Sequence, residues 1–79
     1  MKAYCLVVLQ SGNPHQINSK VRRKASDIDT VTRAESITGP YDLLVSIEVD
    51  SLAQLKDTFL SVQSLDGVER SIPCVVLDG

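Results

Sequence analysis

The sequence repeats itself. Displaced by 37 positions without a gap, Tyr4, Leu6 and Val8 fall on Tyr41, Leu43 and Val45. Ala25 and Ile28 fall on Val62 and Leu65, and Asp29, Val31 and Arg33 fall on Asp66, Val68 and Arg70. In a chain of 79 residues this leaves each copy about the length of one strand-helix-strand unit. Few other features restrict the available folds as much.

The local signals agree with that unit. Tyr4 to Gln10 is rich in β-branched and aliphatic residues, and Ser11-Gly12-Asn13-Pro14 follows as a turn cluster. Asn13 is placed to cap a helix, with Pro14 at its first position and Gln16 three residues after the cap. Ile17, Val21, Ala25 and Ile28 recur at helical spacing, while Lys20, Arg22, Arg23 and Lys24 take mostly the outer faces. Val31–Thr38 reads as a second strand, Gly39-Pro40 as a turn, and Tyr41–Val49 as a third strand. Ser51 with Gln54 forms a capping box for a second helix, whose core stripe is Leu52, Leu55, Phe59 and Val62. Asp66-Gly67 stops that helix, and Val68–Leu77 is the fourth strand. The order βαββαβ, read as one domain over residues 1–79, predicts an α+β, ferredoxin-like sandwich. Right-handed crossovers are expected to make strands one and three central parallel neighbours under two helices on one face. Pro73 places strand four at an edge, because proline cannot donate a ladder hydrogen bond.

The opposite face of the sheet also needs a cover. Strand one is apolar on both alternations, Tyr4, Leu6, Val8 and Cys5, Val7, Leu9, where a solvated face should alternate with polar residues. A small domain has a marginal core: a chain this size exposes roughly 12,500 Å² unfolded and about 4,700 Å² folded. A second sheet is the expected cover, giving a two-fold dimer of the dimeric α+β barrel type.

Chemistry-bearing residues are sparse. His15 is the only histidine and sits in a first helical turn as a surface imidazole, and Asp27 and Asp29 read as loop acids. Cys5 and Cys74 lie in apolar runs and read as buried free thiols, with a bridge between neighbouring strands as the alternative. No Gly-rich phosphate cradle, nucleophile arrangement or metal-ligand spacing is present, so neither cofactor nor metal is expected. A net charge of −2, and no aromatic residue interleaved with the Lys20–Lys24 run, argue against direct DNA binding. The longest apolar run, Ala3 to Leu9, is far short of a membrane span, and the chain is read as cytoplasmic.

One segment resembles a known family. Thr38-Gly39-Pro40-Tyr41-Asp42, between Val31–Ile37 and the aliphatic Leu43, Leu44 and Val45, looks like the glycine-x-tyrosine-aspartate hairpin of the Lrp/AsnC effector-binding (RAM) domain. The resemblance covers essentially the whole chain, including Asp66, Gly67, Val68 and Glu69. It implies dimers formed through the sheets, closed rings of dimers, and small effectors, typically amino acids, bound between dimers near this hairpin. Thr38, Gly39, Tyr41 and Asp42 are then the ligand-binding residues: Gly39 permits close approach, Tyr41 shapes the cleft, and Asp42 holds a ligand ammonium or a loop amide. Because strand one begins at Tyr4, the chain is similar to stand-alone modules without a helix-turn-helix, which sense ligands or assemble with full-length regulators. Two readings from other classes remain: a small dimeric ferredoxin-like barrel enzyme, and a purely structural oligomerisation partner. The ACT domain, another amino-acid-binding βαββαβ fold, would place a glycine in the first loop, where Gly12 stands.

Overall fold

The computed structural model describes residues 1–11 and 14–77, with residues 14–16 described through their backbone alone. Strand β1 spans Lys2–Leu9, helix α1 Pro14–Ser26, strand β2 Val31–Ser36, strand β3 Leu43–Glu48, helix α2 Leu52–Gln63 and strand β4 Val68–Val75. The order is the βαββαβ that the repeat predicts. The expected Asn13–Gln16 cap, the Gly12 turn and the His15 side chain lie outside what is described. No helix among the described residues is long and apolar enough to cross a membrane.

The strands form one sheet in the order β2-β3-β1-β4, and every neighbouring pair is antiparallel. This corrects the expected parallel pairing of the first and third strands. Each βαβ crossover does join parallel strands, β1 with β2 and β3 with β4. Each also skips one position, and the first strand of the other half fills it. The strands are shorter than the sequence suggests at three ends. β2 stops at Ser36, β3 starts at Leu43 and β4 stops at Val75, so the central hairpin carries a six-residue loop, Ile37–Asp42.

Both helices cover the face formed by Ala3, Cys5, Val7 and Leu9 of β1 and Leu43, Val45 and Ile47 of β3, all buried. Val21 and Ala25 of α1 and Leu55 and Val62 of α2 close this core, each large side chain contributing roughly 1.5–3 kcal/mol. Ser51 caps α2 as expected, its hydroxyl accepting the Gln54 N–H at 3.1 Å. Gln54 reaches back to the N–H of Asp50 at 2.8 Å, one residue further than in the usual reciprocal box. Leu52 does not join the core and is 69% exposed. At 100° per residue it lies about 70° from the centre of the stripe made by Leu55, Thr58, Phe59 and Val62, on the first, overhanging turn. Thr58 is buried in its stead, its hydroxyl donating to the Gln54 carbonyl at 2.9 Å and meeting that of Thr30. After α2, Gly67 turns the chain with φ +99°; a Cβ there would lie 3.1 Å from Val21 Cγ2 and 3.2 Å from Ile17 Cγ2.

Strand β4 is an edge, as Pro73 requires. Val76 N–H donates to the Lys2 carbonyl at 3.0 Å. Alternation then makes Cys74 opposite Tyr4 a hydrogen-bonded pair and Pro73 opposite Cys5 a non-bonded one. The missing N–H of Pro73 therefore faces the open edge, where it breaks the row of donors another strand would pair with. The two cysteines are free but differ from expectation: Cys5 is buried, whereas Cys74 is exposed. They sit on neighbouring strands and on opposite faces of the sheet, so a bridge would have to pass through it. Burial pushes the Cys5 thiol from its ordinary 9.0 to about 12, and the neighbouring Cys74 adds to the shift.

Candidate functional site

The hairpin between β2 and β3 meets the end of β1 and the first turns of α1. Ile37 N–H donates to the Asp42 carbonyl at 3.0 Å and closes the loop. At its tip Gly39 has φ +128°, a conformation closed to most side chains, and no described atom lies within 4 Å of where its Cβ would be. Glycine is needed here for the backbone angle rather than for lack of room. Thr38, Gly39 and Pro40 are exposed, while Tyr41 and Asp42 are half-buried.

Asp42 has a structural task that the sequence does not reveal. Its N–H donates to the Val7 carbonyl at 2.8 Å, and its carboxylate Oδ2 accepts the Leu9 N–H at 2.8 Å. In β1 the odd residues turn their backbone groups toward β3, which ends at Leu43 opposite Val7. Leu9 N–H, the next donor on that side, lies beyond the last strand residue. The Asp42 carboxylate takes the place of the missing carbonyl, beside the register shift at Val8/Leu9. An unmet backbone donor would otherwise cost about 1–3 kcal/mol.

A polar chain ties α1 to this corner. Ser36 Oγ donates to Asn18 Oδ1, Arg22 Nη1 donates to Ser36 Oγ at 3.4 Å, and Asn18 Nδ2 donates to the Asp42 carbonyl at 3.5 Å. Sequence reasoning does not single out Asn18 and Ser36. The one available signal is an amide beside the buried stripe, adjacent to Ile17. Arg22 alone of the basic run has a described partner, and Lys20, Arg23 and Lys24 are exposed with it on α1. Asp27 and Asp29 lie in the exposed α1–β2 connection, as expected of loop acids.

The other face of the sheet is the second feature. Its rows follow from the register: Leu44, Leu6 and Ile72 lie side by side, as do Arg33, Ser46, Tyr4 and Cys74. Tyr4, Leu6, Val8, Leu44 and Ile72 are half-buried within one chain, although no helix covers them. The chain exposes 5168 Å², above the about 4,700 Å² expected of a compact monomer of this size.

Known proteins share this geometry. A family model described as the Lrp/AsnC ligand binding domain matches residues 2–78. A Thermus thermophilus protein of known structure superposes with a TM-score of 0.86 at 23% identity, over 99% of this chain and 94% of its own. E. coli AsnC gives 0.85 at 20% identity, over 99% of this chain and 51% of its own. An AsnC family transcriptional regulator from Agrobacterium tumefaciens gives 0.83 at 10% identity, over 99% and 50%. The chain thus spans about half the length of these two regulators, and at such identities the likeness is one of fold. No curated protein matches the sequence.

Proposed function

The chain belongs to the Lrp/AsnC ligand-binding-domain family, and on that premise we propose that it is a non-enzymatic module that binds a small effector and assembles through its sheet. The hairpin carries the reading. Gly39 leaves open space at the tip, and behind it Tyr41 and Asp42 are held by the ends of three strands and a helix. An ionised carboxylate offers about four lone-pair sites, and Leu9 N–H occupies one on Asp42. Capacity remains for a ligand ammonium. Thr38 and Gly39 supply the exposed wall, and an amino acid is the effector that suits an acid flanked by backbone groups.

The uncovered sheet face is proposed to meet a second copy, Leu6, Leu44 and Ile72 packing across a two-fold axis. Dimers then associate into rings whose clefts lie at the hairpins, and the same face admits a full-length regulator carrying this domain. The test is calorimetric titration of the common amino acids into wild type, Asp42→Asn and Gly39→Val. One amino acid should bind wild type, with affinity about 10- to 150-fold lower in Asp42→Asn. Equal affinities would remove Asp42 from the site. Absence of binding by an intact oligomer would leave a structural assembly module.

A further inference from the structure

A hollow of about 230 Å³ lies on the outer sheet face, at the end opposite the hairpin. Its walls are Lys2 and Tyr4 of β1, Thr32 and Arg33 of β2, and Ser46 and Glu48 of β3. The register brings them together: Lys2 faces Glu48 and Tyr4 faces Ser46. A bulge completes the set. Val31 stands opposite Ile47 but Arg33 opposite Ser46, so one extra residue, Thr32, is inserted. Bulges re-aim side chains; here the bulge puts Arg33 in the outer row, and Thr32 is pinned by donating to the Ser46 carbonyl at 3.3 Å.

This corner therefore presents two cations, one carboxylate and the hydroxyls of Tyr4 and Ser46 on one concave surface. We infer that it binds a small zwitterion, with the ligand carboxylate on Arg33 and Lys2 and its ammonium on Glu48. The guanidinium fork of Arg33 matches a carboxylate in two-point contact. Its own ion pair, to Glu35 at 3.9 Å with both side chains well exposed, is too long and too wet to hold it. Glu48 already receives one ammonium, the Met1 amine at 3.8 Å, which shows that the geometry accepts such a group. A ligand of single charge would find a repelling partner among Glu48, Lys2 and Arg33. The apolar row of Leu44, Leu6 and Ile72 lies nearer the hairpin, so the hollow sits beside the proposed dimer contact rather than beneath it. It stands independently of the hairpin reading.

The experiment is an amide-resolved NMR titration of the whole chain with glycine and β-alanine, using acetate and methylammonium as single-charge controls. Saturable shifts at Lys2, Tyr4, Arg33 and Ser46 are expected with at least one zwitterion. The controls, and the variants Arg33→Gln and Glu48→Gln, should bind about tenfold or more weakly. These variants are at exposed positions, and dispersed spectra would confirm their fold. Shifts that never saturate would overturn the inference. So would shifts that persist unchanged in both variants, or equal binding of acetate. Saturable shifts confined to Thr38, Gly39 and Asp42 would overturn it while leaving the hairpin site standing.

Discussion

Replacing Asp42 with alanine removes the only acceptor described for Leu9 N–H, at the point where the β1–β3 ladder has ended. A hydrogen bond to a charged group contributes about 1.5–3 kcal/mol, and the half-buried position keeps water from replacing it fully. For a domain of this size each kcal/mol shifts Tm by about 4–8 °C, so Asp42→Ala should melt roughly 6–24 °C lower. Asp42→Asn keeps a carbonyl oxygen that can accept the same N–H. It should lose only the charge assistance and fall between wild type and alanine. Melts must be compared at one protomer concentration, because assembly shifts Tm by mass action. Hydrogen exchange at Leu9 gives a local readout, since its amide should lose protection in alanine and retain part of it in asparagine. A Tm for Asp42→Ala indistinguishable from wild type, with Leu9 still protected, would refute the reasoning. Another acceptor would then be serving that donor.

Three more outcomes are expected. Cys5 has a folded pKa of about 12 above an ordinary 9.0, so its contribution is complete below pH 9, where both states hold the thiol proton. As pH rises from 9 to about 12 the unfolded chain alone ionises, and stability should fall by up to about 1.4 kcal/mol per pH unit; denaturant midpoints of wild type and Cys5→Ala that decline in parallel would contradict this. Gly67→Ala forces a side chain into a positive φ and against Val21 and Ile17, costing about 1–2 kcal/mol or more; an unchanged thermal melt would show that the turn relaxes freely. Leu6→Asp places a charge between Leu44 and Ile72 on the helix-free face, so light scattering should report a mass near that of one chain with the circular dichroism preserved; an unchanged oligomer mass would put the contact elsewhere.

The residues differ in how openly they announce their places. Tyr4, Leu6 and Val8 repeating as Tyr41, Leu43 and Val45 mark out the two units, because alternation and repetition are local properties of a chain. Pro73 announces an edge for the same reason: its missing donor is intrinsic to the residue. The antiparallel pairing of β1 with β3 escapes such reading because a crossover dictates the relation of the strands it joins, not which strand lies between them. Leu52 escapes it since periodicity ignores where a helix overhangs the sheet. Cys74 lies in an apolar run, yet it occupies the face without helices. Asp42 is the sharpest case. Its partner, Leu9, is 33 residues away, and nothing in the hairpin's own sequence states that a donor waits there.

The interleaved order β2-β3-β1-β4 has a consequence for the chain's integrity. Neither half is a domain. Severed between Gly39 and Pro40, the first half would hold two parallel strands with a vacant lane between them, and the second half the same. Each fragment would be soluble or sticky according to how fast it found its complement, and two copies of one half could occupy each other's lanes. The fold is thus a handshake between duplicated units. Its folding must wait for contacts distant in sequence, and its fragments should recombine in solution without a covalent link.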